Sequence, residues 1–140
     1  MRQMPDKVFF DSNIIIYAYS VDEPKKQTLV KALLNAHEEI LISTQTINEL
    51  INVTMRKKML DALQVSAVVN ELFLVCSVEV IDQNVIQKSL ALVKKYRYSY
   101  FDSLMLASAL SAGCSILYSE DMHNQQIIEG KLKIINPFGG

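Results

Sequence analysis

Short apolar runs alternate along the chain with segments whose apolar residues recur at helical spacing. Val8 to Phe10 is the first run and stops at Asp11, after which Ile14 to Tyr19 is apolar enough for a buried helix. Pro24 suits a helix start, and Leu29, Val30, Leu33 and Leu34 follow at helical spacing before a second strand, Ile40-Leu41-Ile42. Gln45 to Lys57 repeats apolar residues at Ile47, Leu50, Ile51 and Val53. Asp61 with Gln64 opens a capping box for a helix reaching about Leu74, so the two helices predict a hairpin. Val78 to Ile81 reads as a third strand. Val85 to Lys94 and Asp102 to Ala112 read as helices, the second stopped by Gly113. Ser115 to Tyr118 is a fourth strand, and a polar loop over Asp121 to Gln126 leads to a fifth at Leu132 to Ile135. Parallel strands need long crossovers and are buried on both faces, so this rhythm predicts an α/β fold: a parallel sheet covered by helices on each side.

Composition narrows the picture. At 140 residues there is room for one domain, here 1–140, and 50% hydrophobic against 21% charged residues excludes disorder over most of the chain. With 14 Lys+Arg against 15 Asp+Glu the net charge is −1, so any attraction for nucleic acid must be local. Met1 to Lys7 carries charge, and the apolar run behind it ends at Asp11, too early for a signal-peptide core. The Ser103 to Ser119 stretch is uncharged but broken by serines and Gly113, so no membrane span is expected and the cytoplasm is the expected location. Cys76 and Cys114 lack zinc or disulfide spacing and read as buried thiols.

The chemistry lies in the carboxylates. Asp11 follows the first strand, Glu49 comes after the second, Asp102 starts the helix leading to the fourth, and Asp121 follows the fourth, so all four fall on the carboxyl-end rim where open α/β sheets bind ligands. Each has a bland explanation. Asp11 suits a helix N-cap, Thr46-Ile-Asn-Glu49 and Ser99-Tyr-Phe-Asp102 have the capping-box pattern, and Asp121 fits an ordinary loop. Together they are harder to dismiss, because like charges 4 Å apart repel by roughly 4 kcal/mol at an effective dielectric near 20. Mg²⁺ or Mn²⁺ would remove that repulsion and suits oxygen-rich sites that act on phosphates.

The segments Phe9-Phe10-Asp11-Ser12-Asn13, Ser43-Thr44-Gln45-Thr46-Ile47-Asn48-Glu49, Tyr100-Phe101-Asp102, Ser119-Glu120-Asp121-Met122 and Ile135-Asn136-Pro137-Phe138, in that order, resemble the PIN-domain ribonucleases, and within them the VapC-type toxins of toxin–antitoxin pairs. The resemblance implies a strand order 3-2-1-4-5 and makes Asp11, Glu49, Asp102 and Asp121 the metal-binding set, with Asn13 and Ser119 as supporting polar residues. It implies an Mg²⁺- or Mn²⁺-dependent endoribonuclease, an antitoxin partner and a homodimer. One departure stands out: many relatives carry a further acid two residues beyond the position of Asp121, and here that residue is His123. Lys94, Lys95, Tyr96, Arg97, Tyr98 and Tyr100 interleave cations with aromatics before Asp102, a composition suited to unpaired RNA. The competing interpretation is a helix end with packed tyrosines. Arg56-Lys57-Lys58 reads as a solvated helix end, and His37 as a cation at another. Two rivals remain. One is a receiver-like phosphoacceptor module centred on Asp82, which lacks the expected second acid after strand 1 and has Asn136 in place of the lysine expected after strand 5. The other is a catalytically inactive PIN-like RNA-binding scaffold.

Overall fold

The computed structural model describes residues 6–139; Met1 to Pro5, the start of the charged N-terminal stretch, lie outside them. The chain runs β1 (Val8–Phe10), α1 (Ser12–Tyr17), α2 (Pro24–Ala36), β2 (Ile40–Ser43), α3 (Thr44–Arg56), α4 (Ala62–Val75), β3 (Ser77–Glu79), α5 (Gln83–Tyr96), α6 (Tyr100–Ser111), β4 (Ile116–Tyr118), β5 (Ile127–Ile128) and β6 (Leu132–Ile135). The sheet order is β3-β2-β1-β4-β6-β5. Its first five members are parallel, in the order implied above, with β6 as the fifth strand.

β5 corrects the five-stranded expectation. It pairs antiparallel with β6 through a tight turn in which Glu129 and Gly130 both take positive φ, and Lys131 N–H bonds back to the Ile128 carbonyl. Ile127 and Ile128 are too few to display a strand period, and Glu-Gly is a weaker hairpin signal than Asn-Gly.

The period of two along the strands divides the interior. Phe9, Leu41, Leu117 and Ile134 point to one face, where they pack with Leu92 of α5 and Leu104, Met105 and Leu106 of α6. Val8, Phe10, Ile40, Ile42 and Tyr118 point to the other and meet Ile14, Val30, Leu50 and Leu72 from α1 to α4. α6 is buried continuously from Ser103 to Ala109, which explains its nearly uniform apolar sequence. Cys76 and Cys114 are both free and buried. Among the described residues no helix is long and apolar enough to cross a membrane.

β1 joins β2 on one side and lies against β4 on the other. The carboxyl ends of β1 and β4 therefore flank the crevice at which strand order reverses.

Candidate active site

Two chain segments leave the crevice side by side. Asp11 follows β1 and N-caps α1, its Oδ1 accepting from Ser12 N–H at 2.8 Å. Its Oδ2 accepts from Ser119 Oγ at 2.9 Å, and Asp11 N–H bonds the Tyr118 carbonyl, so β1 and the end of β4 are tied together beyond the last strand residue. Ser119 Oγ in turn accepts from the Asp121 N–H, at 3.3 Å. Asn13, the second residue of α1, donates from Nδ2 to Asp121 Oδ2 at 2.8 Å. Its Oδ1 is buried and has no hydrogen-bond partner.

The helix starts decide how the other two acids point. α3 begins earlier than Thr46: Ser43 is the N-cap and Thr46 completes the box. Glu49 is thus released from the capping role its spacing suggests, and it accepts from Ser12 Oγ and from Gln45 Nε2 instead. Ser99 caps α6 by accepting from the Asp102 N–H, which leaves the Asp102 carboxylate free.

These acids line one cleft of about 500 Å³. Asp11, Asp102, Asp121 and Glu49 share it with Asp22 and Glu23 from the α1–α2 turn, and the basic side chains of its lining are Arg56 and Lys57. Among the described residues, none of these carboxylates is in an ion pair. Burial raises the Asp11 carboxyl to about 7, opposed by the Ser119 hydrogen bond and reinforced by the charges of Asp102 and Glu49. Burial also raises Asp102, with Asp121 and Glu49 adding to the effect. Glu120 is not a spare acid: despite partial burial it is held below its ordinary value by Lys26 Nζ, 2.6 Å away, and by Tyr17 Oη, which donates to it at 2.6 Å.

The donor set is all oxygen, and the unpartnered Asn13 Oδ1 adds a neutral oxygen beside Asp121. Among the described residues no three acidic, histidine or cysteine side chains are preassembled around a single point. An all-oxygen donor set is the kind that hard divalent cations such as Mg²⁺ take.

The basic–aromatic run lies elsewhere. Lys95 pairs with Glu129 at 3.0 Å, Tyr96 Oη accepts from Glu129 N–H, and Arg97 ends α5 in the left-handed region. Tyr98 Oη donates to Gln126 Oε1 and accepts from His123 N–H, while Tyr96, Tyr98 and Tyr100 pack against the α5–α6 side of the core. None of Lys94, Lys95, Tyr96, Arg97, Tyr98 and Tyr100 lines the cleft. His123 is exposed and also absent from the lining. Asp82 is the N-cap of α5, its Oδ1 accepting from Val85 N–H, and it does not line the acidic cleft. The cleft instead recruits Arg56, Lys57 and the exposed ring of Phe101. The only sequence sign of the first two was the charge run at the end of α3.

Comparison with known proteins gives the fold and site a family. The PIN domain matches this chain over residues 8–127, which takes in all four acids. The chain belongs to the PIN-domain family. No curated protein matches it. Among solved structures, this PIN domain is similar to a toxin–antitoxin complex from Klebsiella pneumoniae, at 22% identity and TM-score 0.72, covering 95% of this chain and 99% of that one. It is also similar to Mycobacterium tuberculosis VapC20, described as a sarcin–ricin loop cleaving toxin, at 17% identity and TM-score 0.70, covering 82% of this chain and 90% of that one. At these identities the two structures speak to the fold.

Proposed function

We propose that this PIN domain is a divalent-metal-dependent endoribonuclease and the toxin of a toxin–antitoxin pair. The observation that carries the reading is the cleft itself: Asp11, Glu49, Asp102 and Asp121 converge with no cation paired to any of them among the described residues, and Asp11 is buried there at 5% exposure. A structural role would pair or disperse such charges. When bound, Mg²⁺ or Mn²⁺ supplies charge neutralisation of the phosphate and a more acidic water. Asp11, Asp102 and Asp121 would hold it, with Glu49 and Asn13 as further oxygen donors of the site. Ser12 and Gln45 orient Glu49 to accept a proton from the attacking water, and Ser119 fixes the rotamer of Asp11. The hydrolysed bond is the RNA phosphodiester.

The antitoxin reading is supported by an apolar groove of about 610 Å³ between the α1–α2 turn and α4, lined by Tyr19, Val21, Leu34, Leu60, Leu72 and Val75. Val75 in that lining is exposed, as is its neighbour Leu74 at the end of α4. An amphipathic partner helix would cover such a surface. In the same reading the toxin is a homodimer. Purified protein freed of partner is incubated with total RNA, with Mn²⁺ and with EDTA, and again after co-expression with the adjacent reading frame. Cleavage in Mn²⁺ alone, silenced in the co-purified complex, supports both halves of the proposal. Indifference to metal removes the first, and absence of any complex removes the second.

A further inference from the structure

The cations of the cleft have no employment within the fold. Arg56 and Lys57 line the same space as the carboxylates, yet among the described residues neither forms an ion pair or a side-chain hydrogen bond. They are not needed to close α3 either. Lys57 N–H bonds Val53 carbonyl, Lys58 N–H bonds Met55 carbonyl, and Met59 and Leu60 N–H both return to Thr54 carbonyl, with Lys58 at φ 56 making the turn. The helix end is therefore satisfied by backbone, and both side chains stay free and exposed. Arg56 also lines a neighbouring shallow depression of about 530 Å³, with Asn48, Ile51, Asn52 and Met55 from the outer face of α3. A path thus runs from the acidic cleft over Arg56 to a patch with two amides and an apolar floor.

We infer that Arg56 and Lys57 form a phosphate clamp for the RNA strand, holding the phosphate next to the scissile one, and that the depression beyond Arg56 receives the attached nucleotide. This rests on the ribonuclease reading and specifies how its substrate is held. A polyanion entering a cleft lined by six carboxylates needs compensation beyond a bound metal, and these are the cations placed to give it. The guanidinium offers paired donors to a phosphate, the ammonium a compact charge. Asn48 and Asn52 carry both donors and acceptors for a base edge, while Ile51 and Met55 offer apolar contact to its face.

The test measures binding and turnover separately. In an Asp102→Asn background with Mg²⁺ present, affinity for a short single-stranded RNA is followed across a salt series, with and without Arg56→Gln and Lys57→Gln together. The double change is expected to weaken binding about tenfold or more and to flatten the log–log salt slope by roughly 0.7, the contribution of one neutralised phosphate on a single strand. Arg56→Lys alone, which keeps charge but loses the paired donors, should fall between. In otherwise native protein the double change should raise KM by a larger factor than it lowers kcat, with the melting temperature unmoved because both side chains are exposed. Native protein that cleaves RNA while the double variant keeps its KM and salt slope overturns the clamp and leaves the ribonuclease reading standing. Native protein that neither binds nor cleaves RNA overturns both. A double change that shifts oligomeric state in place of RNA affinity assigns this face to contact between copies and also overturns the clamp.

Discussion

Replacing Asp11 by Asn should stabilise the metal-free protein at pH 8. The carboxyl is raised from an ordinary value of 3.8 to about 7 by burial and by its like-charged neighbours. A folded-state value above the unfolded one means that the folded chain holds the proton more tightly, so the penalty for ionisation is absent below about pH 4, grows from pH 4 to 7 and is constant above. A difference of about three units at about 1.4 kcal/mol per unit sets an upper limit near 4 kcal/mol. Relaxation and water entry should leave about half of that. Asparagine conserves the local bonds: its Oδ1 still accepts from Ser12 N–H, and the Ser119 hydroxyl, which donates to Asp11 and accepts from Asp121, can reverse to accept from the new amide. For a chain of 140 residues a gain of about 2 kcal/mol raises Tm by roughly 6 to 10 °C. Thermal melts in EDTA at pH 8 and pH 4 provide the assay, repeated with Mn²⁺. The variant should melt higher than native protein at pH 8, equal to it at pH 4, and gain less from Mn²⁺, whose selective binding to the folded state stabilises native protein by RT ln(1 + [L]/Kd). An Asp11→Asn protein that melts lower at pH 8, or whose advantage does not change with pH, would refute the claim that ionised Asp11 is an electrostatic burden.

Three further outcomes are expected. Asp102→Asn and Asp121→Asn should each reduce metal-dependent RNA cleavage by about 100-fold or more, read by gel in Mn²⁺, while circular dichroism and melting stay close to native. Tyr98→Phe should lower urea-derived stability by about 1 to 2 kcal/mol, through loss of the bonds to Gln126 and His123, without changing RNA affinity. Leu106→Ala, at a fully buried position in the middle of α6, should cost about 2 to 5 kcal/mol by the same measurement.

The parallel part of the sheet was legible because β1, β2 and β4 are short apolar runs separated by helices long enough to cross over, whereas the two-residue β5 was not. The four acids were legible for a related reason: each follows a strand or starts a helix on one rim, so topology alone brings them to a common cleft. What escaped was decided by tertiary contacts. Glu49 carries a capping-box spacing from Thr46, but Ser43 at the end of β2 is the better-placed cap, and only the structure shows which wins. The run from Lys94 to Tyr100 has the composition of an RNA-binding surface; in the structure Glu129, Gln126 and His123 from the β4–β6 connection occupy the polar atoms of Lys95, Tyr96 and Tyr98, and the run lies outside the acidic cleft. Arg56 and Lys57 have an unremarkable helix-end pattern, and they face the acids because α3 packs against α1.

The chemistry of the RNA ends tests the metal-dependent reading most directly. Purified protein is incubated with a defined RNA in Mn²⁺, in EDTA, and in Mn²⁺ after Asp102→Asn, and the fragment termini are identified by mass spectrometry. Water attacking phosphorus under the control of these carboxylates should leave a monophosphate on one fragment and a hydroxyl on the other, in Mn²⁺ alone and with native Asp102 alone. Fragments ending in 2′,3′-cyclic phosphate, or the same cleavage in EDTA or with Asp102→Asn, would contradict it.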